Sequence, residues 1–143
     1  MEEEKPKESR FKSLFIAFAI LLAFFIVSKV ISKISSNPAK ISYEKRCAEC
    51  HGLNGEGLKE MLPPLANSDW LRNNQNKIAC AIKHGIKGNI IVNGKEYDID
   101  MLGEENIQDI EITNIINYIN TSWNNNIPTK SNSEVIEDLK NCN

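Results

Sequence analysis

"CAECHG", residues 47–52, is the stretch on which the reading of this chain turns. Cys47 and Cys50 are separated by two residues, and His51 follows the second cysteine directly. Three chemistries use such a trio: a zinc site, a thiol–disulfide couple, or a haem bound through both thiols. The surrounding sequence has to choose among them.

The chain has 143 residues, enough for one compact domain and little more. Its hydrophobic content of 41% and charged content of 25% are those of a globular protein rather than a disordered one. A net charge of −2 excludes a general electrostatic attraction to nucleic acid, so no nucleic-acid partner is expected.

"SLFIAFAILLAFFIVS", residues 13–28, is an export signal. The apolar run from Leu14 to Val27 spans about 21 Å as a helix, short of a bilayer core of about 30 Å. Continuing to Ile34 gives about 31 Å, with Lys29 and Lys33 snorkelling to headgroups from one helix face. No A-x-A-like cleavage site follows, which favours an uncleaved anchor over 14–34 rather than a removed signal peptide. Lys5, Lys7, Arg10 and Lys12 precede the span, so the N-terminus is expected in the cytoplasm and the remainder on the periplasmic or outer face.

The expected organisation is therefore a charged stub (1–13), a transmembrane anchor (14–34), a linker (35–38), a domain (39–127) and a tail (128–143). Within the domain, residues 39–46 read as a helix running into the motif, and "GLNGEG" (52–57) as a glycine-punctuated loop continued by "LPPLANSDW". Residues 75–84 read as a short helix stopped by Gly85, and "IIVNGKEY" (90–97) as a hairpin turning at Asn93-Gly94. In residues 109–123, Ile112, Ile115, Ile116 and Ile119 fall on one helical face. Val135, Ile136 and Leu139 space out one short docking helix in the tail. The "NNN" at 124–126 reads as composition bias and turn chemistry.

Zinc requires four ligands, and the remaining candidates are Cys80, His84 and Cys142. Cys80 and His84 are four apart on a helix and could face together, but histidine adjacent to Cys50 suits a tetrahedral site badly. A thiol-redox motif requires a strand before the first cysteine, and the segment before Cys47 is helical. Haem attachment accounts for the whole order: two thiols add to the two vinyl groups, and the adjacent histidine reaches iron as proximal ligand. A six-coordinate carrier then needs a second axial ligand. Met101 lies fifty residues past His51, between the hairpin and the last helix, where the chain can cross the opposite haem face. Met61, ten residues after His51, belongs to the loop that wraps the histidine side.

With this order of motifs, residues 39–127 resemble a class I c-type cytochrome domain. The resemblance rests on "ISYEKRCAECHGLNGEG", "PPLANSDWL", "VNGKEYDIDM" and "IEITNIINYINTSWNN". It implies an all-α fold around one covalent haem c, here with a small β-hairpin and an N-terminal transmembrane helix. It also implies that the first and last helices cross, with Tyr43 near Tyr118 and Ala39 where glycine is usual. Pro63 matches the proline whose carbonyl receives the histidine Nδ1 proton, a bond that orients the ligand and raises its basicity. That role puts Met61 on the histidine side. Trp70 and Tyr97 are expected either to donate to haem propionates or to pack plainly. One departure is that Leu102, not proline, follows Met101.

Cys80 and Cys142 then form either a disulfide or a buried thiol and a free one. Closing that 62-residue loop would stabilise by about 4 kcal/mol on the chain-entropy account. Between Lys95 and Glu111 stand Glu96, Asp98, Asp100, Glu104, Glu105, Asp109 and Glu111 against one lysine. Either this is a solvated face or it docks a partner with a basic surface, in which case encounter is faster at low salt. The function expected is electron transfer by a membrane-anchored mono-haem carrier serving redox partners of a respiratory chain, not catalysis. The competing class is a haem enzyme or a sensor of small gases or peroxide, with an open sixth position.

Overall fold

The computed structural model describes the backbone of residues 8–34 and 37–142, with side chains over 11–29 and 37–142. Most of the expected stub, half of the expected linker and Asn143 lie outside the described residues. The chain divides at Ser36 into two units, each described by itself.

The first unit is one helix, α1 (Glu8–Ile34), which starts six residues before the apolar run. Within it, Phe11–Lys29 has a mean hydropathy of 2.4 and is long and apolar enough to cross a membrane. Its large apolar side chains, from Phe11 to Val27, are exposed.

The second unit spans Asn37–Asn143 and carries the core. Its first helix, α2 (Pro38–Arg46), has the expected start signals. The Asn37 side chain accepts from the Ala39 amide, Pro38 occupies the first turn, and Lys45 and Arg46 face the negative end of the dipole. α3 (Ala48–His51) is a single turn holding the cysteine–histidine motif, and α4 (Asp69–Asn73) is capped by the Ser68 hydroxyl, which accepts from the Leu71 amide. The loop expected from sequence extends to Trp70, so it overlaps the first two residues of α4. The Ser68-Asp69 start signal was there, but only five residues follow it, too few for a visible period.

α5 (Ile78–His84) ends at Gly85, where β1 (Gly85–Ile86) begins. β2 (Ile90–Val92) and β3 (Lys95–Tyr97) form the expected hairpin, with Asn93 and Gly94 both at positive φ as a tight turn requires. β4 (Met101–Leu102) returns antiparallel to β1, so one strand pair is nested inside another. α6 (Asp109–Thr121) and α7 (Asn132–Lys140) complete the unit. α6 stops two residues short of Trp123, whose positive φ of 50° cannot continue a helix.

Ile112, Ile115, Ile116 and Ile119 are buried on the inner face of α6. Where α2 crosses α6, the ring centroids of Tyr43 and Tyr118 are 5.2 Å apart, and Trp123 closes the aromatic trio at 5.1 and 5.5 Å. α7 buries Val135 completely and packs Leu139 on the same core. Its start is a reciprocal cap between Ser131 and Glu134. Helices carry the core, and the small sheets shape one loop region beside it.

Candidate haem-binding site

Cys47 is the cap residue between α2 and α3, Cys50 and His51 lie on α3, and two ties fix the position of the trio. The His51 amide bonds the Cys47 carbonyl at 2.9 Å, closing the turn. The Tyr43 hydroxyl donates to the Gly52 carbonyl at 2.6 Å, anchoring the far end of the turn to α2. Burial, first of all, pushes the Tyr43 hydroxyl far above the ordinary tyrosine range, so it stays a donor.

His51 is buried, and its Nδ1 lies 3.1 Å from the Pro63 carbonyl. A carbonyl can only accept, so the proton belongs on Nδ1 and Nε2 keeps a bare lone pair. Burial lowers the pKa of His51, against the smaller opposing effect of that bond, and holds the imidazole neutral. A neutral imidazole with Nδ1 tied and Nε2 bare is the form that binds a metal.

Cys47 and Cys50 are free thiols. Cys80 and Cys142 are disulfide-bonded to each other, with Cα atoms 5.6 Å apart. That pairing removes two of the three extra zinc ligands considered from sequence. The third, His84, is exposed, and among the described residues no cluster of three or more metal-ligating side chains exists. The thiol-redox reading fails as well. Burial, with Glu104 next in effect, pushes the Cys47 thiol up to about 12, whereas an attacking redox thiol needs a lowered value. Two unpaired thiols beside a neutral histidine fit haem c, which takes one thioether from each cysteine.

The loop after His51 is closed by backbone bonds. The Gly57 amide donates to the His51 carbonyl at 2.9 Å, and the Leu65 and Ala66 amides both donate to the Gly55 carbonyl. Gly55, at φ +66°, lies against Trp123, where a Cβ would come within 2.6 Å of the indole. Asn125, 3% exposed, links this loop to α6. Its amide donates to the carbonyls of Leu65 and Ile119, and its oxygen accepts from the Asn67 amide. The asparagine run that read as composition bias thus contains a buried connector. No spacing marks it, because its partners in the loop, Leu65 and Asn67, lie about sixty positions away.

Met101 lies on β4, half-buried and in register with Ile86. The strand pair is tight. Gly85 has φ +81°, and a Cβ there would lie 2.2 Å from the Met101 carbonyl. The Glu104 amide donates to the Ile82 carbonyl at 2.9 Å, and the Lys83 ammonium to the Ile107 carbonyl at 2.7 Å. Met61, 55% exposed, sits in the turn bridging Leu58 and Leu62, immediately before Pro63. Tyr97 is buried with the Lys95 ammonium 5.1 Å above its ring. Trp70 packs on the core edge and lines a groove with Cys80, Ile86 and Cys142. Among the described residues, no protein group bonds the Trp70 Nε1–H or the Tyr97 hydroxyl.

The acidic stretch is partly neutralised from elsewhere in the fold. Arg46 makes a two-pronged bond to Glu111 at 2.8 and 3.1 Å and a third bond to Glu104 at 2.9 Å. Lys83 stands 3.9 Å from Asp109. Of the seven acids, Glu96, Asp98, Asp100 and Glu105 are left without a cation partner among the described residues.

Comparison with known proteins agrees with this geometry. The Cytochrome c family matches residues 36–123, more than half of the chain. A cytochrome c-552 of Thermus thermophilus is 30% identical over 107 residues, covering 72% of this chain and 70% of the relative. The cytochrome c subunit of a quinone alcohol dehydrogenase from Gluconacetobacter polyoxogenes is 32% identical over 98 residues, covering 66% of this chain but 20% of that subunit. The two free thiols, the neutral histidine tied to Pro63 and the crossed α2 and α6 carry the same conclusion: the chain belongs to the cytochrome c family as a class I c-type cytochrome with covalent haem c, which Cys47 and Cys50 fit.

Proposed function

We propose that this protein is a membrane-anchored carrier of single electrons between redox partners of a respiratory chain, with its haem iron closed by His51 and Met101. The observation that carries the reading is His51: buried, neutral, with Nδ1 held by Pro63 and Nε2 free. Haem c, when bound, supplies the Fe(III)/Fe(II) couple.

The protein's own part is to hold ligands still and keep water away. Pro63 fixes the imidazole plane and raises the basicity of Nε2. Met101 would be the second, soft and neutral donor to the iron, and β1 limits its freedom through the Ile86 register. Met61 is too exposed and too close to Pro63 for that task. Trp70 and Tyr97 offer an indole N–H and a phenol hydroxyl to the propionates. With haem c held by His51 and Met101, the chemistry supplied would be the passage of a single electron, which asks for no acid–base pair.

α1 serves as the anchor, with the N-terminus cytoplasmic and the haem unit on the periplasmic or outer face. The Cys80–Cys142 disulfide supports that side of the membrane, since structural disulfides persist in oxidising compartments. The partner carries a basic docking patch that meets Glu96, Asp98, Asp100 and Glu105, so transfer slows as ionic strength rises. A transfer rate independent of salt refutes that patch.

The deciding experiment is the visible spectrum of the matured, reduced full chain with and without carbon monoxide. A spectrum unmoved by the gas is expected for closed histidine–methionine iron. A clear shift replaces the carrier with a haem enzyme or gas sensor whose sixth position is open.

A further inference from the structure

α7 lies beyond residues 36–123, the part of the chain matched by the family, yet it is firmly sewn to the core. Lys130 pairs with Asp138 and donates to the Gln75 carbonyl just ahead of α5. Asn117 of α6 brackets Lys130, donating to its carbonyl and accepting from its amide. The Thr113 hydroxyl on α6 bonds the Asn132 side chain at 3.0 Å. The covalent tie runs from Cys142, two residues past the end of α7, to Cys80 in α5.

α5 is the element from which the Met101 segment hangs. Its last residues and β1 directly after them hold that segment at successive points: Ile82 accepts from the Glu104 amide, Lys83 bonds the Ile107 carbonyl, and Gly85-Ile86 of β1 pair with Met101-Leu102. α5 is only seven residues long and has no side-chain cap at its start. A helix this short depends on what packs against it rather than on its own propensity. The tie to Cys142 enters four residues before the end that carries β1.

We infer that the Cys80–Cys142 disulfide makes α7 a strut for α5 and thereby a positioning device for Met101. This rests on Met101 being the second axial ligand. With the strut in place, the methionine side stays closed. Without it, the end of α5, β1 and β4 fluctuate together, and the sixth position opens part of the time. An external ligand then binds in proportion to the open fraction.

The test uses holoprotein carrying Cys80→Ser and Cys142→Ser together, with carbon monoxide as probe of the ferrous form. Affinity for the gas is expected to rise by about tenfold, an ordinary size for conformational coupling. Amide exchange over residues 101–107 is expected to quicken. Val135→Ala, which loosens α7 on the core but keeps the covalent tie, is expected to lower the melting temperature and to raise gas affinity by less than the double variant does. If the double variant fails to mature, reducing the disulfide of folded holoprotein with a phosphine makes the same comparison, because thioether bonds to haem survive it.

A double variant that melts earlier but binds the gas like the parent overturns the strut. Met101→Ala separates the two readings. If it opens the site while the double variant does not, the strut alone is wrong. If Met101→Ala binds gas no better than the parent, the ligand assignment is wrong and the strut falls with it.

Discussion

Around His51 the ties to its own loop are short in sequence: Pro63 lies twelve residues away, Gly57 six, and Tyr43 eight before. Around Met101 the supporting contacts come from further off: Ile86 and Ile82 on α5 and its strand, Lys83 reaching Ile107, and Arg46 on α2 reaching Glu104 and Glu111. The histidine side would also have a covalent guarantee, since His51 directly follows Cys50, which fits a thioether to haem c. Met101 has no such leash. A ligand fixed by its own loop stays put when distant packing weakens, whereas a ligand fixed by other elements responds to each of them.

The largest expected effect removes the guarantee itself. Cys47→Ala with Cys50→Ala should abolish covalent haem, read as complete extraction of haem into acidified organic solvent. Haem that stays with the polypeptide would break the comparison at its root.

Next comes a pair of glycines, one on each side. Gly85→Ala places a Cβ against the Met101 carbonyl at a positive φ and should cost about 3 kcal/mol. It should also let carbon monoxide bind. Gly55→Ala meets Trp123 and should cost a similar amount in thermal unfolding while leaving gas binding unchanged, because His51 is still held. Equal gas binding by both variants would erase the distinction between the sides.

Pro63→Ala keeps the carbonyl that accepts from His51 but frees the chain around it. It should lower stability by about 0.4–1 kcal/mol through the unfolded state, and shift the midpoint potential only slightly. A large potential change would mean that the proline ring itself, and not its carbonyl, sets the ligand.

The smallest effect concerns Arg46. Its hydrogen bond to Glu111 is the main cause holding that carboxyl below the ordinary glutamate value. The depressed value means the pair stabilises the fold above the ordinary range, about 4.3, and that this contribution fades as pH falls through the folded value. With side chains 24% and 26% exposed, the pair contributes at most about 1 kcal/mol. Arg46→Ala should therefore unfold more easily at neutral pH, and the gap should close in acid.

What could be read from the sequence follows the same division. The thiol spacing, the histidine, the isoleucine face of α6 and the Asn93-Gly94 turn are each determined within a few turns of chain. A helical or two-residue period writes them directly into residue order. The resemblance to a class I cytochrome supplied Pro63 and the Tyr43–Tyr118 contact. By contrast, α4 was too short to show a period, and the pairing of β1 with β4 joins two-residue strands across an intervening hairpin. The choice between disulfide and free thiols for Cys80 and Cys142 was open, since spacing alone does not bring α5 to α7. The acids between Glu96 and Glu111 looked like one patch because a sequence lists charges without their partners. Only the fold brings Arg46 and Lys83 to three of them. Covalent chemistry and local periodicity depend on neighbours in the chain, so the sequence alone determined the haem attachment. Long-range pairing depends on which surfaces the core brings together, so the tertiary structure decided how Met101 is held.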